Sequence, residues 1–209
     1  MARRTKEEAL QTRETILTTA LDMFCERGYS RTTFDEIAKR INRTKGAIYW
    51  HFKNKPDIIK ALIIKTFDYH QTAIHQKLAE VNTLDDLYCY FQYAAQVVKD
   101  SPLFRKFLFF VMFQMEWSAG LFNTLNISTP INKIFNYQHN LIHSVLTKCV
   151  EQGTISAQTD IGQTTIIINA LWDGILRQAI SKKTTDLLPA TAAQSFSLIF
   201  NSLKLTKEN

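Results

Sequence analysis

The chain has 209 residues, 45% of them apolar and 21% charged, with a formal net charge of +6. That balance suits a globular protein able to bury a sizeable core, and it excludes a disordered chain or a small disulfide-stapled one. Glycine (6) and proline (4) are scarce, which argues against a turn-rich sheet fold and for long helices with few connections.

The opening residues, Met1 to Glu8, hold basic groups with no apolar stretch behind them, so no secretory leader is expected. Residues 9–27 read as helix one. Ile16, Leu17, Ala20, Met23 and Phe24 recur at helical spacing, and Gly28 stands where a helix stops. Thr33 with Glu36 three places on is a capping-box pattern, so helix two starts at Phe34. It is short, because Ile41-Asn42-Arg43 reads as a turn. Thr44 caps helix three, from Lys45 to about His51. Pro56 suits the first turn of helix four, which Ile58, Ile59, Leu62, Ile63, Phe67, Ile74 and Leu78 carry on to about Glu80.

Thr83 and Asp86 open helix five, and Ser101-Pro102 open helix six, which runs to about Trp117. Residues 118–129 read as a loop. Pro130 begins helix seven, which ends at Gly153. Thr159-Asp160 cap helix eight, to about Ser181, and helix nine runs from about Pro189 to Leu205. The predicted fold is all-α with about nine helices. The longest strongly apolar run, Phe107 to Phe113, is far short of the ~20 residues that cross a bilayer. A cytoplasmic protein with no membrane partner is expected.

The basic excess is local. Residues 1–60 hold 13 Lys+Arg against 8 Asp+Glu, and the remainder hold 12 against 11. Such asymmetry fits either a solvated basic surface or an end that meets a polyanion. The helix pattern favours the polyanion. Two short helices joined by a three-residue turn form a helix-turn-helix, whose second helix lies in the major groove. Ile37, Ala38, Ile41 and Ile48 are the apolar residues that would hold the pair together. Lys45, Gly46, Tyr49 and Trp50, preceded by Arg43 and Thr44, are left to reach base edges or phosphates. Gly46 costs a helix interior about 1 kcal/mol relative to alanine, a cost that close approach to DNA would justify. His51, Lys53 and Lys55 place donors around the start of helix four.

The strings Thr33-Phe34-Asp35-Glu36-Ile37-Ala38 and Thr44-Lys45-Gly46-Ala47-Ile48-Tyr49-Trp50-His51-Phe52-Lys53-Asn54-Lys55 resemble the DNA-binding segment of TetR-family repressors. Gly46 to Phe52 and the opening Met1 to Lys6 are most similar to the AcrR branch, which controls multidrug efflux pumps. The resemblance covers roughly residues 1–65, and beyond them rests on helix number and spacing. It implies a helix-turn-helix domain over 1–55 and a ligand-binding and dimerisation domain over 56–209. It also implies phosphate contacts from Thr33, Tyr49, His51 and Lys55, and base-edge contacts near Arg43, Thr44, Lys45 and Gly46. Thr32, Trp50 and Lys53 complete the expected DNA-contacting set. Core packing is the alternative for Tyr49 and the favoured reading for Phe52. Trp50 is open between core, DNA and surface.

Residues 88–137 hold 13 of the chain's 24 aromatics. Aromatic walls can line an adaptable apolar pocket or simply form core. The resemblance implies a pocket for a hydrophobic inducer. Phe67, Phe91, Phe110, Phe113, Phe135, Gln138, Ile142 and Trp172 are the candidate lining. Helix eight is apolar nearly all round and helix nine carries an apolar stripe. The resemblance implies that these helices pair with their twins in a homodimer, with Ile168, Ile175, Phe196, Ile199, Phe200 and Leu203 at the interface. Double-stranded operator DNA would then be met by two recognition helices.

Enzyme chemistry has little support. No phosphate loop, GxSxG, HExxH or paired-cysteine motif occurs. Cys25, Cys89 and Cys149 are far apart and odd in number, which reads as reduced thiols. His139 and His143 are four apart, yet no acid or thiol nearby completes a metal site. No cofactor or metal is expected. The expected function is a ligand-responsive repressor, of a multidrug efflux operon. The alternatives are a regulator of lipid or signal-molecule metabolism, and a small-molecule binding module that does not read DNA.

Overall fold

The computed structural model describes residues 6–68, 81–115 and 130–205, without the side chains of 67–68 and 130–135. Nine α-helices carry these residues: α1 Lys6–Arg27, α2 Phe34–Arg40, α3 Lys45–His51, α4 Lys55–Ile63, α5 Leu84–Asp100, α6 Pro102–Phe109, α7 Pro130–Glu151, α8 Ile161–Ser181 and α9 Leu188–Leu203. No β-sheet occurs among them; one isolated antiparallel bridge joins Ile155 and Lys204. Helix four, expected to run to about Glu80, is α-helical only to Ile63 and continues as a π-helical turn, Ile64–Asp68. Residues 69–80 and the expected loop at 118–129 lie outside the described residues. A second π turn, Phe110–Gln114, comes after α6.

The chain divides into two compact units, 1–68 with 106–128, and 69–105 with 129–209. The first unit therefore extends past residue 55 and draws in a later segment. Its core is built on α1, where Ile16, Leu17, Ala20, Leu21 and Phe24 are fully buried. Phe110 stacks on Phe24 with ring centroids 5.3 Å apart. Lys106 joins Asp22 at 2.5 Å. Cys25 donates to the Lys106 carbonyl at 3.6 Å, and burial pushes its thiol up to about 11, so at neutral pH it stays protonated and unreactive.

Local signals set the ends of the short helices. Gly28 closes α1 in the left-handed region (φ +88°), which glycine adopts without a Cβ penalty, and its N–H returns to the Phe24 carbonyl at 3.0 Å. At α2, Glu36 N–H donates to Thr33 Oγ1 at 3.3 Å and Thr33 N–H to Glu36 Oε2 at 2.9 Å, a complete capping box. The α2–α3 turn passes through Asn42 at φ +52°, and Arg43 N–H reaches back to the Ala38 carbonyl at 2.9 Å. Thr44 caps α3 through Ala47 N–H at 3.3 Å. Asn54 caps α4 through Asp57 N–H at 2.9 Å.

In the second unit, α5 packs on α9 around an aromatic stack. The Phe91 and Phe196 rings lie 3.9 Å apart and nearly parallel; Trp172 is 5.4 Å from Phe91, and Phe200 is 5.7 Å from Phe196. Gln138 of α7 donates to Asn169 of α8 at 2.9 Å. The residues expected at a dimer interface divide by burial. Ile168, Phe196 and Phe200 are buried within one chain (0%, 0% and 2% exposed), so they form the unit's own core and not a surface. Ile175, Ile199 and Leu203 are half-buried. The same two helices present Ile166, Ile167 and Leu198, 61%, 55% and 69% exposed.

Phe196→Ala removes the centre of the stack and should lower unfolding free energy by roughly 3–5 kcal/mol; a urea midpoint equal to wild type would count against this core. The Glu36 carboxyl is held below the ordinary range, first by the Thr33 N–H and hydroxyl and then by Arg27. A depressed carboxylate adds stability that is complete above its unfolded pKa of ~4.3 and is lost as pH falls through the lower folded value. The Thr33 amide resonance should therefore titrate below that figure and lose the transition in Glu36→Gln.

Candidate nucleic-acid interface

Helix α3 has seven residues, too few to be stable alone. It is pinned by one fully buried side chain, Ile48, and packs on α2, whose Ile37 and Ala38 are buried as well. Phe52, just past its end, is 3% exposed and lies under the Arg13 guanidinium, 5.0 Å from the ring centroid. The core reading of Phe52 thus describes its position.

The rest of α3 faces outward. Tyr49 is 52% exposed and Trp50 71%. Tyr49 meets Phe34 edge-on at 5.0 Å, so its ring is braced while its outer edge stays free. Trp50 stands against His51, with centroids 4.5 Å apart, and points to the surface. His51 is half-buried and lies between Trp50 and Phe52. Gly46 is exposed, and a Cβ there would meet only Thr44 Oγ1 at 3.8 Å. Intramolecular packing therefore does not demand glycine at this position.

Beside α3 an open groove of about 610 Å³ is lined by Lys39, Asn42, Arg43, Thr44 and Ala47. Arg43 and Thr44 are expected at this face from the sequence. Lys39 and Asn42 are not; their signal is the polar side of α2 and an asparagine suited to the left-handed turn. Arg43, Lys39 and Lys53 are exposed and form no ion pair among the described residues. Other cations are committed. Lys45 reaches Asp35 at 2.7 Å, which raises its pKa above the ordinary lysine value, chiefly through that hydrogen bond. Arg40 grips Glu26 bidentately at 2.5 and 2.7 Å and holds that carboxyl low.

Three of the expected contacts make hydrogen bonds within the chain. Thr32 is fully buried; its hydroxyl donates to the Gly28 carbonyl at 2.9 Å and closes the end of α1, so it does not face outward. Thr33 is exposed, but its hydroxyl serves the capping box. Lys55 is half-buried and its ammonium faces the Tyr29 carbonyl at 2.7 Å.

The expected ligand residues fall in both units. Phe91 and Trp172 sit in the aromatic stack of the second unit, and Ile142 is fully buried there. Gln138 is bound to Asn169. Phe110 is spent in the core of the first unit, and Phe113, 37% exposed, belongs to the same π turn. The side chains of Phe67 and Phe135 lie outside the described residues. Among the described residues no three His, Cys, Asp or Glu side chains gather as a metal would require, and no helix is long and apolar enough to cross a membrane.

An exposed polar and aromatic face on a short braced helix, beside unpaired cations, is fitted to touch base edges and backbone of a duplex. Comparison with known proteins agrees. Residues 16–62 match the family described as bacterial regulatory proteins, tetR family. The probable HTH-type transcriptional regulator ArpR of Pseudomonas putida is 30% identical over 192 residues, covering 90% of each chain. The fold is similar to that of NalD of Pseudomonas aeruginosa (TM-score 0.76, 22% identity, 95% of this chain and 98% of that one). It is also similar to SmeT of Stenotrophomonas maltophilia in complex with triclosan (TM-score 0.73, 21% identity, 94% and 93%). The chain belongs to the TetR family of bacterial regulatory proteins.

Proposed function

We propose that this protein is a ligand-responsive repressor that binds operator DNA through α2 and α3 and controls a multidrug efflux operon. The observation that carries the reading is the outer face of α3, where Trp50 is 71% exposed and Gly46 has room for a side chain that the sequence withholds. A large bare ring and a costly helical glycine have no use inside the chain. Both make sense where a duplex comes close.

NalD is the secondary repressor of the MexAB-OprM multidrug efflux pump in Pseudomonas aeruginosa, and SmeT forms a complex with triclosan. These likenesses support an efflux operon and a hydrophobic inducer. Residues 1–55 would supply the DNA contacts, from Thr33, Arg43, Thr44, Lys45, Gly46, Tyr49, Trp50, His51 and Lys53, with Lys39 and Asn42 added by the groove. Residues 56–209 would take the inducer and form the homodimer. A dimer on α8 and α9 would use Ile166, Ile167 and Leu198, the apolar side chains those helices leave exposed. Two-fold symmetry would then set the recognition helices about 34–36 Å apart, one turn of the duplex. Such a regulator acts in the cytoplasm and performs no catalysis.

Fluorescence anisotropy on a duplex from its own upstream intergenic region is the test. Binding should exceed that to random-sequence DNA, fall steeply with salt, and be reversed by triclosan or a hydrophobic cation such as ethidium. Equal binding to both duplexes would sink the reading. Gly46→Ala should raise stability by about 0.5–1 kcal/mol, the helix-propensity gain, while weakening operator binding. A variant that binds as well as wild type would show that the glycine does not serve the duplex.

A further inference from the structure

We infer that Lys55 is a positioning residue: its ammonium ties the first turn of α4 to the α1–α2 connection and thereby sets the pose in which the helix-turn-helix meets DNA. This rests on the DNA-reading role proposed above and refines it, because the sequence resemblance gives the same lysine a phosphate to grip.

The geometry is specific. Lys55 Nζ donates to the Tyr29 carbonyl at 2.7 Å and to the Ser30 carbonyl at 3.2 Å. It also lies over the Tyr29 ring, 4.4 Å from the centroid. An ammonium has three protons on a single nitrogen. Two are directed at carbonyls and the ring face covers a further side, so little remains to offer a phosphate. The side chain is half-buried, and burial lowers its pKa below the ordinary lysine value, with the Glu36 charge acting the other way. This is a cation partly withdrawn from water and paired with carbonyl dipoles and a π face.

The carbonyls it holds govern the start of α2. The Tyr29 carbonyl also accepts the Thr32 N–H at 3.3 Å, which closes the turn between α1 and α2. The next residue, Thr33, is the cap of α2. At its other end the lysine opens α4, directly behind α3. One ammonium thus joins the points where the chain enters and leaves the helix-turn-helix, 26 residues apart. Lys53, two places earlier, is exposed in contrast and is the better candidate for a phosphate partner.

The test compares full-length wild type, Lys55→Met and Lys55→Arg on the upstream duplex and on random-sequence DNA over a salt series, with amide exchange of the DNA-free proteins alongside. Lys55→Met should lose about tenfold in operator affinity, as a loosened site does, with random-sequence affinity and the salt slope unchanged. Exchange at Thr32 and Glu36 should quicken, and Lys55→Arg should recover most of the affinity. A salt slope flatter by about one, with exchange unchanged, would assign the lysine to a phosphate and overturn the inference. Equal weakening on both duplexes would overturn it too, leaving general stability as the role. Wild type without operator preference refutes the DNA reading itself, and that control separates the two failures.

Discussion

A recognition helix of seven residues cannot hold its own shape in water, and the first unit is arranged around that constraint. Helix nucleation is costly and short helices are marginal without tertiary packing. Only Ile48 of α3 is fully buried, so one side chain anchors the helix and leaves the others for outside contacts. The helix it packs on is α2, where Ile37 and Ala38 are both buried. Ala38 combines a small side chain with a carbonyl that accepts Arg43 N–H, and the turn can therefore be tight. Each cap on α2, α3 and α4 satisfies backbone groups that such short helices would otherwise leave to water.

Electrostatics divides the basic residues into two populations. Arg40, Arg27, Lys45, Lys65 and Lys106 are tied to carboxylates within the first unit. These exposed pairs contribute little stability individually, but they fix where the cations sit. Arg43, Lys39 and Lys53 have no such partner among the described residues and surround the α3 face. Net charge alone would overstate how much of the surface attracts a polyanion. Arg31 and Lys60 are exposed without an ion pair among the described residues as well, so it is the three unpaired cations beside α3, and not the unpaired subset as a whole, that mark its face.

The sequence discloses mostly what is local. The Thr33–Glu36 spacing, the Thr44 cap, the Asn54-Lys55-Pro56 start and the stop at Gly28 depend on neighbours within four residues, and each is present in the fold. Thr32 escapes such a reading because adjacent threonines look alike in sequence; the left-handed turn at Gly28 turns one inward and leaves the other exposed. Phe196 and Phe200 illustrate a second limit. Periodicity shows that a helix buries a stripe, yet it does not say whether the cover is Phe91 of the same chain or a second copy. The π turn at Ile64–Asp68 is invisible for a related reason, since the apolar spacing runs on past Ile63 and hides the change in winding. The role of Lys55 depends on carbonyls far away in sequence, which no local pattern encodes.

The bare ring of Trp50 has a consequence for the protein when no DNA is present. Two aromatic side chains, Tyr49 and Trp50, are exposed on a face that also carries the exposed cations Arg43, Lys39 and Lys53. Like-charge repulsion between such faces reaches only about 10 Å at 0.1 M salt and about 3 Å at 1 M. The concentrated salt that strips nucleic acid from a basic protein therefore also removes the barrier between these faces. Colloidal stability of the free protein should thus be poorest under the conditions used to clean it, and a short duplex would act as a solubilising agent.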